Sequence, residues 1–299
     1  MKSGFVSLLG RPNAGKSTLL NRLVGSKIAI VADTPQTTRE VIQGVVTRDD
    51  AQIVFLDSPG IHEPRNSLNR RMMHEVKAAL DARDLLVLVV DATASFGAGD
   101  AHAIDLIRAA NTPAVVALNK IDRLPRKDLL LPLIDRYRQL LAFEDYLPIS
   151  ALTGEGVEAL TAVLVARLPE GPQYFPADHL TDQPLRHLAA ELIREKVIHA
   201  TREEVPHAAA VAIDQFEEGR RLLRIAATIY VERAGQKGII IGAGGERLKQ
   251  VGTQAREELE ALTGRKIFLD LHVKVRPEWR ESESFLAALD WRRQLGGEP

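Results

Sequence analysis

Up to about residue 168 the chain alternates short apolar runs with longer amphipathic stretches. Five runs are bounded by turn residues and read as strands: 5–10 (FVSLLG), 51–57 (AQIVFLD), 84–92 (DLLVLVVDA), 113–120 (PAVVALNK) and 145–150 (DYLPIS). Four of the five are apolar nearly throughout, which predicts strands covered on both faces, as in a parallel sheet. Helical patterns over 66–82, 100–110, 127–142 and 156–168 lie between or after them. This alternation implies an α/β fold with a doubly wound, mostly parallel sheet, whose ligands sit at the carboxyl ends of the strands.

Residues 169–176 (PEGPQYFP) hold three prolines and a glycine, so neither a helix nor a central strand continues through them. The expected division is a first domain over 1–170, a linker over 171–182 and a second domain over 183–299. In the second domain a helix at 184–199 precedes strands near 208–216 and 222–233. A helical region around 238–263 and a strand at 266–276 follow. This α-β-β-α-α-β order has only three strands and describes a separate α+β unit. Along its first helix Leu185, Leu188, Ala189, Leu192, Ile193 and Val197 form an apolar stripe, read as a core face rather than a membrane anchor. Trp279 and Trp291 are read as packing residues of the C-terminal segment.

Composition narrows the chemistry. With 45% hydrophobic and 26% charged residues, the chain is expected to be folded throughout. It has no cysteine, which excludes disulfides, thiol catalysis and cysteine-bound zinc. No secretory signal and no bilayer-spanning run is read in it, so a cytoplasmic protein is expected. Eight histidines without paired ligand spacing do not suggest a metal site. A net charge of −1 gives no general attraction to nucleic acid, so any RNA contact must come from a local patch.

Residues 10–17 (GRPNAGKS) fit GxxxxGK[ST] between a predicted strand and a predicted helix. Backbone N–H groups of such a loop curl round a β-phosphate, and the positive end of the following helix faces the same anion. Lys16 is expected on the β/γ oxygens and Ser17 on Mg²⁺. Asn119-Lys120-Ile121-Asp122 ends a predicted strand on the ligand side. A carboxylate such as Asp122 accepts from N1–H and the 2-amino group of guanine, and adenine would leave it desolvated and unpaired. That difference selects guanine strongly. Ser150-Ala151-Leu152 ends the last strand and can add a backbone N–H to guanine O6.

GRPNAGKS, DSPG (57–60), NKID and SAL, in this order, resemble the motifs of translation-factor-related GTPases. The resemblance implies a P-loop NTPase fold. It places Asp57 on Mg²⁺ through water and the N–H of Gly60 on the γ-phosphate. The GTP-binding set it implies is Asn13, Ala14, Gly15, Lys16, Ser17, Thr18, Asp57, Gly60, Asn119, Lys120, Asp122, Ser150, Ala151 and Leu152. Its metal set is Ser17, Thr38 and Asp57. In this family a threonine of the loop 29–40 binds Mg²⁺ only when the γ-phosphate is present, which makes the loop a switch. Thr38 is the first choice and Thr37 the alternative. Where many GTPases have a water-orienting glutamine, this chain has Ile61. An aliphatic side chain orients no water, so slow intrinsic hydrolysis is expected. Lys16, Asn13, Thr38 and Gly60 are then the catalytic candidates. In GTPases similar to this one an asparagine at the place of Asn13 can hold K⁺ beside the phosphates, although Asn13 can equally brace the loop. His62 is not expected to act as a general base, because phosphoryl transfer depends chiefly on positioning and charge.

In the second domain Gly242-Ala243-Gly244-Gly245 lies between two helical patterns. This resembles the GxxG loop of a type II KH domain, which lets a nucleic-acid backbone approach while bases enter an apolar groove. Lys237, Ile241, Arg247 and Lys249 complete the RNA-binding set, with Gly242 to Gly245 themselves. Such loops often carry a basic residue between the glycines, and this one does not, so Lys237, Lys249 and backbone N–H groups are expected to hold the phosphates. Together the two domains resemble the Era family of bacterial GTPases. Residues 203–207 (EEVPH), LIREKV and the segment 279–291 (WRESESFLAALDW) add to the likeness. The resemblance implies a monomer that binds GTP and GDP and acts in assembly of the 30S subunit. Its RNA target would be the 3′ region of 16S ribosomal RNA, and peripheral contact with the inner face of the cell membrane comes with the family. Two rivals fit less well. The tRNA-modifying GTPases use a C-terminal cysteine, absent here, and a KH module with an inert nucleotide fold would not need Lys16, Ser17, Asp57, Asn119 and Asp122 intact.

Overall fold

A computed structural model describes residues 1–61, 66–81 and 83–294. The chain forms two compact units: the first comprises residues up to Asp182 apart from the stretch 65–69, and the second runs from Gln183.

In the first unit six strands line up in the order β2-β3-β1-β4-β5-β6. They are β1 (Lys2–Leu9), β2 (Ile42–Thr47), β3 (Ala51–Asp57), β4 (Leu85–Asp91), β5 (Ala114–Asn119) and β6 (Tyr146–Pro148). All pairings are parallel except β2 with β3. The helices are α1 (Lys16–Val24), α2 (Ser67–Leu80), α3 (Ala98–Ala110), α4 (Leu130–Leu140) and α5 (Val157–Arg167). Strand β4 shows why its sequence is apolar without alternation. Leu85, Val87 and Val89 enter one core with Leu19 and Leu20 of α1 and Leu160 and Leu164 of α5. Leu86, Leu88 and Val90 enter the other with Val76 of α2, Ile104 of α3 and Tyr137 of α4. Both faces are dry, as parallel strands require.

Strand β2 is not among the five runs read as strands. Gly44 interrupts its apolar pattern, and a Cβ there would lie 2.7 Å from Leu20, 2.8 Å from Val24 and 2.9 Å from Ile28. The glycine lets α1 approach the edge strand, a tertiary requirement that looks like a turn signal in the sequence. The proline-rich segment expected to be a linker lies along this same edge. Gln52 donates to the carbonyl of Phe175 at 2.9 Å and accepts from the N–H groups of Tyr174 and Phe175. Val45 N–H donates to Leu180 O at 2.9 Å. Prolines keep the segment out of regular structure, yet residues up to Asp182 group with the first unit.

The second unit has the sheet β7-β8-β9, from β7 (Ala210–Glu218), β8 (Leu222–Val231) and β9 (Lys266–Val275), with β7/β8 antiparallel and β8/β9 parallel. Helices α6 (Leu185–Ala200), α7 (Val205–Ala208), α8 (Ala234–Ile241) and α9 (Glu246–Thr263) precede, interleave and connect these strands. The stripe on α6 joins the core through Ile193 and Val197, beside Ala227 and Ile229 of β8 and Val251 and Ala255 of α9. After β9 come α10 (Glu283–Leu289) and α11 (Trp291–Gln294). Trp279 is fully buried and donates its indole N–H to Ala208 O at 2.8 Å. Trp291 is also buried. Both tryptophans therefore pack, as expected.

Candidate functional site

The loop after β1 curls into the N-terminus of α1 at the carboxyl end of the sheet. Its form depends on Gly15, which has φ +96° and would carry a Cβ 2.2 Å from the Asn119 side chain. No side chain fits there. The cleft above this loop has a volume of about 270 Å³. It is lined by Asn13, Gly15, Lys16, Ser17, Thr18, Thr37, Thr38, Gly60, Asn119, Lys120, Asp122, Ala151 and Leu152, among others. Residues far apart in the sequence and singled out for phosphate or base contacts thus border one cavity.

At the phosphate end, Lys16 Nζ donates to Gly10 O at 3.2 Å and to Arg11 O at 3.0 Å. Burial pushes its ammonium down to about 8, against the opposing attraction of Asp57. Burial likewise raises the Asp57 carboxyl to about 6, while Lys16 and the hydroxyls of Ser17 and Thr38 pull it down. Ser17 Oγ donates to Asp57 Oδ2 at 2.6 Å and lies 2.8 Å from Thr38 Oγ1. Asp57 Oδ1 is buried without a hydrogen-bond partner among the described residues. Two hydroxyls and a carboxylate with an unused oxygen, enclosed together, are the hard donor set that Mg²⁺ takes, so the residues fit that ion. Thr37 is turned the other way, with its hydroxyl donating to Thr34 O at 2.6 Å. Of the two candidate threonines, Thr38 has its hydroxyl beside Ser17 and Asp57. Asn13, with φ +61°, donates from Nδ2 to Asp33 O at 2.6 Å and ties the phosphate loop to the loop that carries Thr38. Ile61 is buried in the core with Leu9, Val76 and Leu88. Its side chain is packed away from solvent, and its N–H donates to Gly10 O at 3.1 Å. His62 lies outside the described residues.

At the base end, Asn119 acts as a strut. Its Nδ2 donates to Ala14 O at 2.8 Å and its Oδ1 accepts from Ala151 N–H at 2.9 Å, so one buried amide joins the phosphate loop to the 150–152 loop. Asp122 lies in the turn Ile121–Arg123 that follows. Lys120 has φ +68° and donates from Nζ to Asp91 Oδ2 at 2.6 Å. The other Asp91 oxygen accepts from the N–H and hydroxyl of Thr93. Although partial burial works the other way, these hydrogen bonds from Lys120 and Thr93 hold the Asp91 carboxyl below the usual carboxylate range. Asp91 does not line the cleft but holds Lys120, which does, and the motifs do not mark it. Its only signal is its place at the carboxyl end of a buried strand.

In the second unit, α8 ends at Ile241 with Gly242 as its cap and α9 begins at Glu246, with Ala243–Gly245 forming a single 3₁₀ turn. Gly244 and Gly245 have φ +60° and +82°. Ala243, Gly244 and Lys249 are exposed, and Lys237 is half-buried. Arg247 Nη1 donates to the carbonyl of Ile239 in α8. Arg247, expected on phosphate, thus makes this contact within the unit through one of its guanidinium nitrogens.

Comparison with known proteins agrees with both halves. Residues 5–120 match the family described as 50S ribosome-binding GTPase, and residues 204–280 match the KH domain family. The GTPase Era of Staphylococcus haemolyticus is 47% identical over 296 residues, covering 99% of this chain and 97% of that one. A crystal structure of a point variant of Aquifex aeolicus Era bound to GDP·AlF₄⁻ superposes with a TM-score of 0.94 at 41% identity, covering 97% of this chain and 99% of that one. A structure of Era in complex with MgGDPNP and nucleotides 1506–1542 of 16S ribosomal RNA gives the same TM-score, identity and coverage. Identity of 47% over nearly the full length joins the phosphate loop, the 119–122 turn and the GxxG loop in one lineage: the chain belongs to the Era family of GTPases.

Proposed function

We propose that this protein binds and hydrolyses GTP with Mg²⁺ in its first unit and binds the 3′ region of 16S ribosomal RNA through the KH loop, acting in maturation of the 30S subunit. The observation that carries the nucleotide reading is the union of Lys16, Ser17 and Asp122 around one cleft. Support for the RNA reading comes from the GxxG loop with its neighbouring Lys237 and Lys249, together with the relative solved on 16S ribosomal RNA.

In this reading backbone N–H groups of residues 13–18 cradle the phosphates, and Lys16 leaves the carbonyls of Gly10 and Arg11 for the β/γ oxygens. Ser17 and Thr38 hold Mg²⁺ directly and Asp57 through water. The bound ion neutralises phosphate charge as it develops. Thr38 and Gly60 N–H sense the γ-phosphate, which makes their loops nucleotide-dependent. Asp122 accepts from guanine N1–H and the 2-amino group, and the 150–152 loop supplies an N–H to O6. With Ile61 buried, no side chain at that position orients the attacking water, so turnover without an activator is slow. In this reading Asn13, whose Nδ2 donates to Asp33 O, offers its amide oxygen to a K⁺ ion beside the phosphates. Turnover in K⁺ should then exceed turnover in Na⁺, and equal rates would remove K⁺ from the mechanism.

The protein is read as a cytoplasmic monomer. Contact with the inner face of the membrane, which the family likeness brings, is testable by flotation with anionic vesicles. The whole reading is tested by two measurements on the full chain. Competition binding should place GTP far above ATP, and crosslinking to total cellular RNA should recover the 3′ end of 16S ribosomal RNA. Equal affinity for the two nucleotides would overturn the first half, and crosslinks scattered over unrelated RNAs the second.

A further inference from the structure

Three consecutive amides of the 150–152 loop and its neighbour differ in what they bond. Ala151 N–H donates to Asn119 Oδ1 at 2.9 Å. Thr153 N–H donates to Ser150 Oγ at 3.1 Å. The N–H of Leu152, between them, has no hydrogen-bond partner among the described residues, and Leu152 lines the cleft. The orientation of that one N–H therefore decides what the loop offers a base.

Arg22 fixes this orientation from outside. It stands near the end of α1, less than two turns after Lys16. Its Nε donates to Ala151 O at 3.2 Å, and its Nη2 donates to Leu152 O. Ala151 O and Leu152 N–H belong to the same peptide plane. That peptide is trans, so its C=O and N–H point in opposite directions. A guanidinium that draws the carbonyl toward α1 turns the N–H away from α1. The second contact holds the next plane, so Leu152 cannot rotate by exchanging one carbonyl for the other. Arginine suits this task because its planar fork engages two acceptors at once.

Resting on the proposed guanine site, we infer that Arg22 is a specificity-determining positioning residue: it clamps two carbonyls of the 150–152 loop so that the Leu152 N–H faces the 6-oxo group of the base. An N–H fixed there pairs with a 6-oxo acceptor and meets the 6-amino group of adenine donor to donor. Arg22 touches no nucleotide in this scheme and works through the peptide it holds. Because α1 also carries Lys16 and Ser17, the clamp sets base recognition and phosphate binding on one rigid element.

The test measures competition by GDP, 6-thio-GDP and IDP against a fluorescent GDP analogue, in the wild type, Arg22→Ala and Arg22→Lys. Sulfur at position 6 is a poor acceptor, so the GDP to 6-thio-GDP ratio reports the Leu152 N–H. IDP lacks the 2-amino group, so the GDP to IDP ratio reports Asp122. Arg22→Ala should narrow the first ratio about fivefold, the scale of a partly exposed charged hydrogen bond, and leave the second unchanged. Arg22→Lys keeps the charge on a single nitrogen without the planar fork and should fall between. If both ratios move together, or neither moves, Arg22 is only structural and the inference fails. If wild-type protein does not prefer GDP to ADP, it is the nucleotide reading beneath it that fails.

Discussion

Thr37 and Thr38 are adjacent, yet their hydroxyls serve different partners: Thr34 O for the first, Ser17 Oγ for the second. Replacing Thr38 by valine keeps the shape and removes the hydroxyl beside Asp57. GTP hydrolysis should fall about 100-fold, the scale of losing one preorganised electrostatic contact in a phosphoryl-transfer site. Thr37→Val should stay within about threefold of wild type, because its hydroxyl closes a local turn with Thr34 O. Single-turnover hydrolysis of both variants checks this, and equal losses would sink the assignment of Thr38. The contrast also shows what was legible residue by residue. Lys16, Ser17 and Asp57 are marked by local motifs, because each contact comes from a loop of fixed form. Asp91 is not marked, because its partner Lys120 lies across the sheet, brought near by the pairing of β4 with β5. Asn119 was legible as a member of the base site but not as the strut that joins two loops.

Elements whose burial pattern was continuous, such as β3, β4 and β5, could be read from apolar runs alone. Strand β2 could not, since Gly44 answers to α1 rather than to its own strand. The C-terminal packing was partly legible, and it carries a pH dependence. His187 of α6 is half-buried, and its ring lies 5.8 Å from that of Trp291 in α11. Burial lowers its pKa from 6.5, with Arg194 and Arg292 adding to the effect and Glu191 and Asp290 opposing it. Well above pH 6.5 the ring is neutral in folded and unfolded chains alike, and folding is unaffected. As pH falls below 6.5 the unfolded chain takes up a proton that the folded unit resists, so stability declines until the folded value is passed. Both tryptophans of the chain, Trp279 and Trp291, lie in the second unit. Urea unfolding followed by their fluorescence therefore reports that unit within the intact protein. Between pH 7.5 and 5.5 the midpoint should fall for wild type and fall less for His187→Phe, which removes the titrating ring. Parallel shifts would show that other groups govern the acid limb.

At the scale of the whole molecule, a net charge of −1 gives no long-range pull on RNA, so affinity must be built from a few cations at the KH loop. Arg247 engages Ile239 O through Nη1, and Lys237 and Lys249 are the lysines of the expected set. Each phosphate neutralised on a single strand contributes about −0.7 to the slope of log affinity against log salt, so two lysines predict a slope of about −1.4. The loop also leaves room to raise it. Ala243 is exposed and lacks the positive φ that makes Gly244 and Gly245 unsuitable for a side chain. Ala243→Lys should therefore fold as wild type, tighten binding to the 16S 3′ segment at low salt and steepen the slope by about 0.7. Because the added charge contacts phosphate rather than bases, it should tighten unrelated single strands by a similar factor and leave the specificity ratio unchanged. A salt titration of both proteins against the two RNAs decides the matter. An unchanged slope would mean that residue 243 does not face the phosphate backbone and that RNA lies elsewhere on the unit.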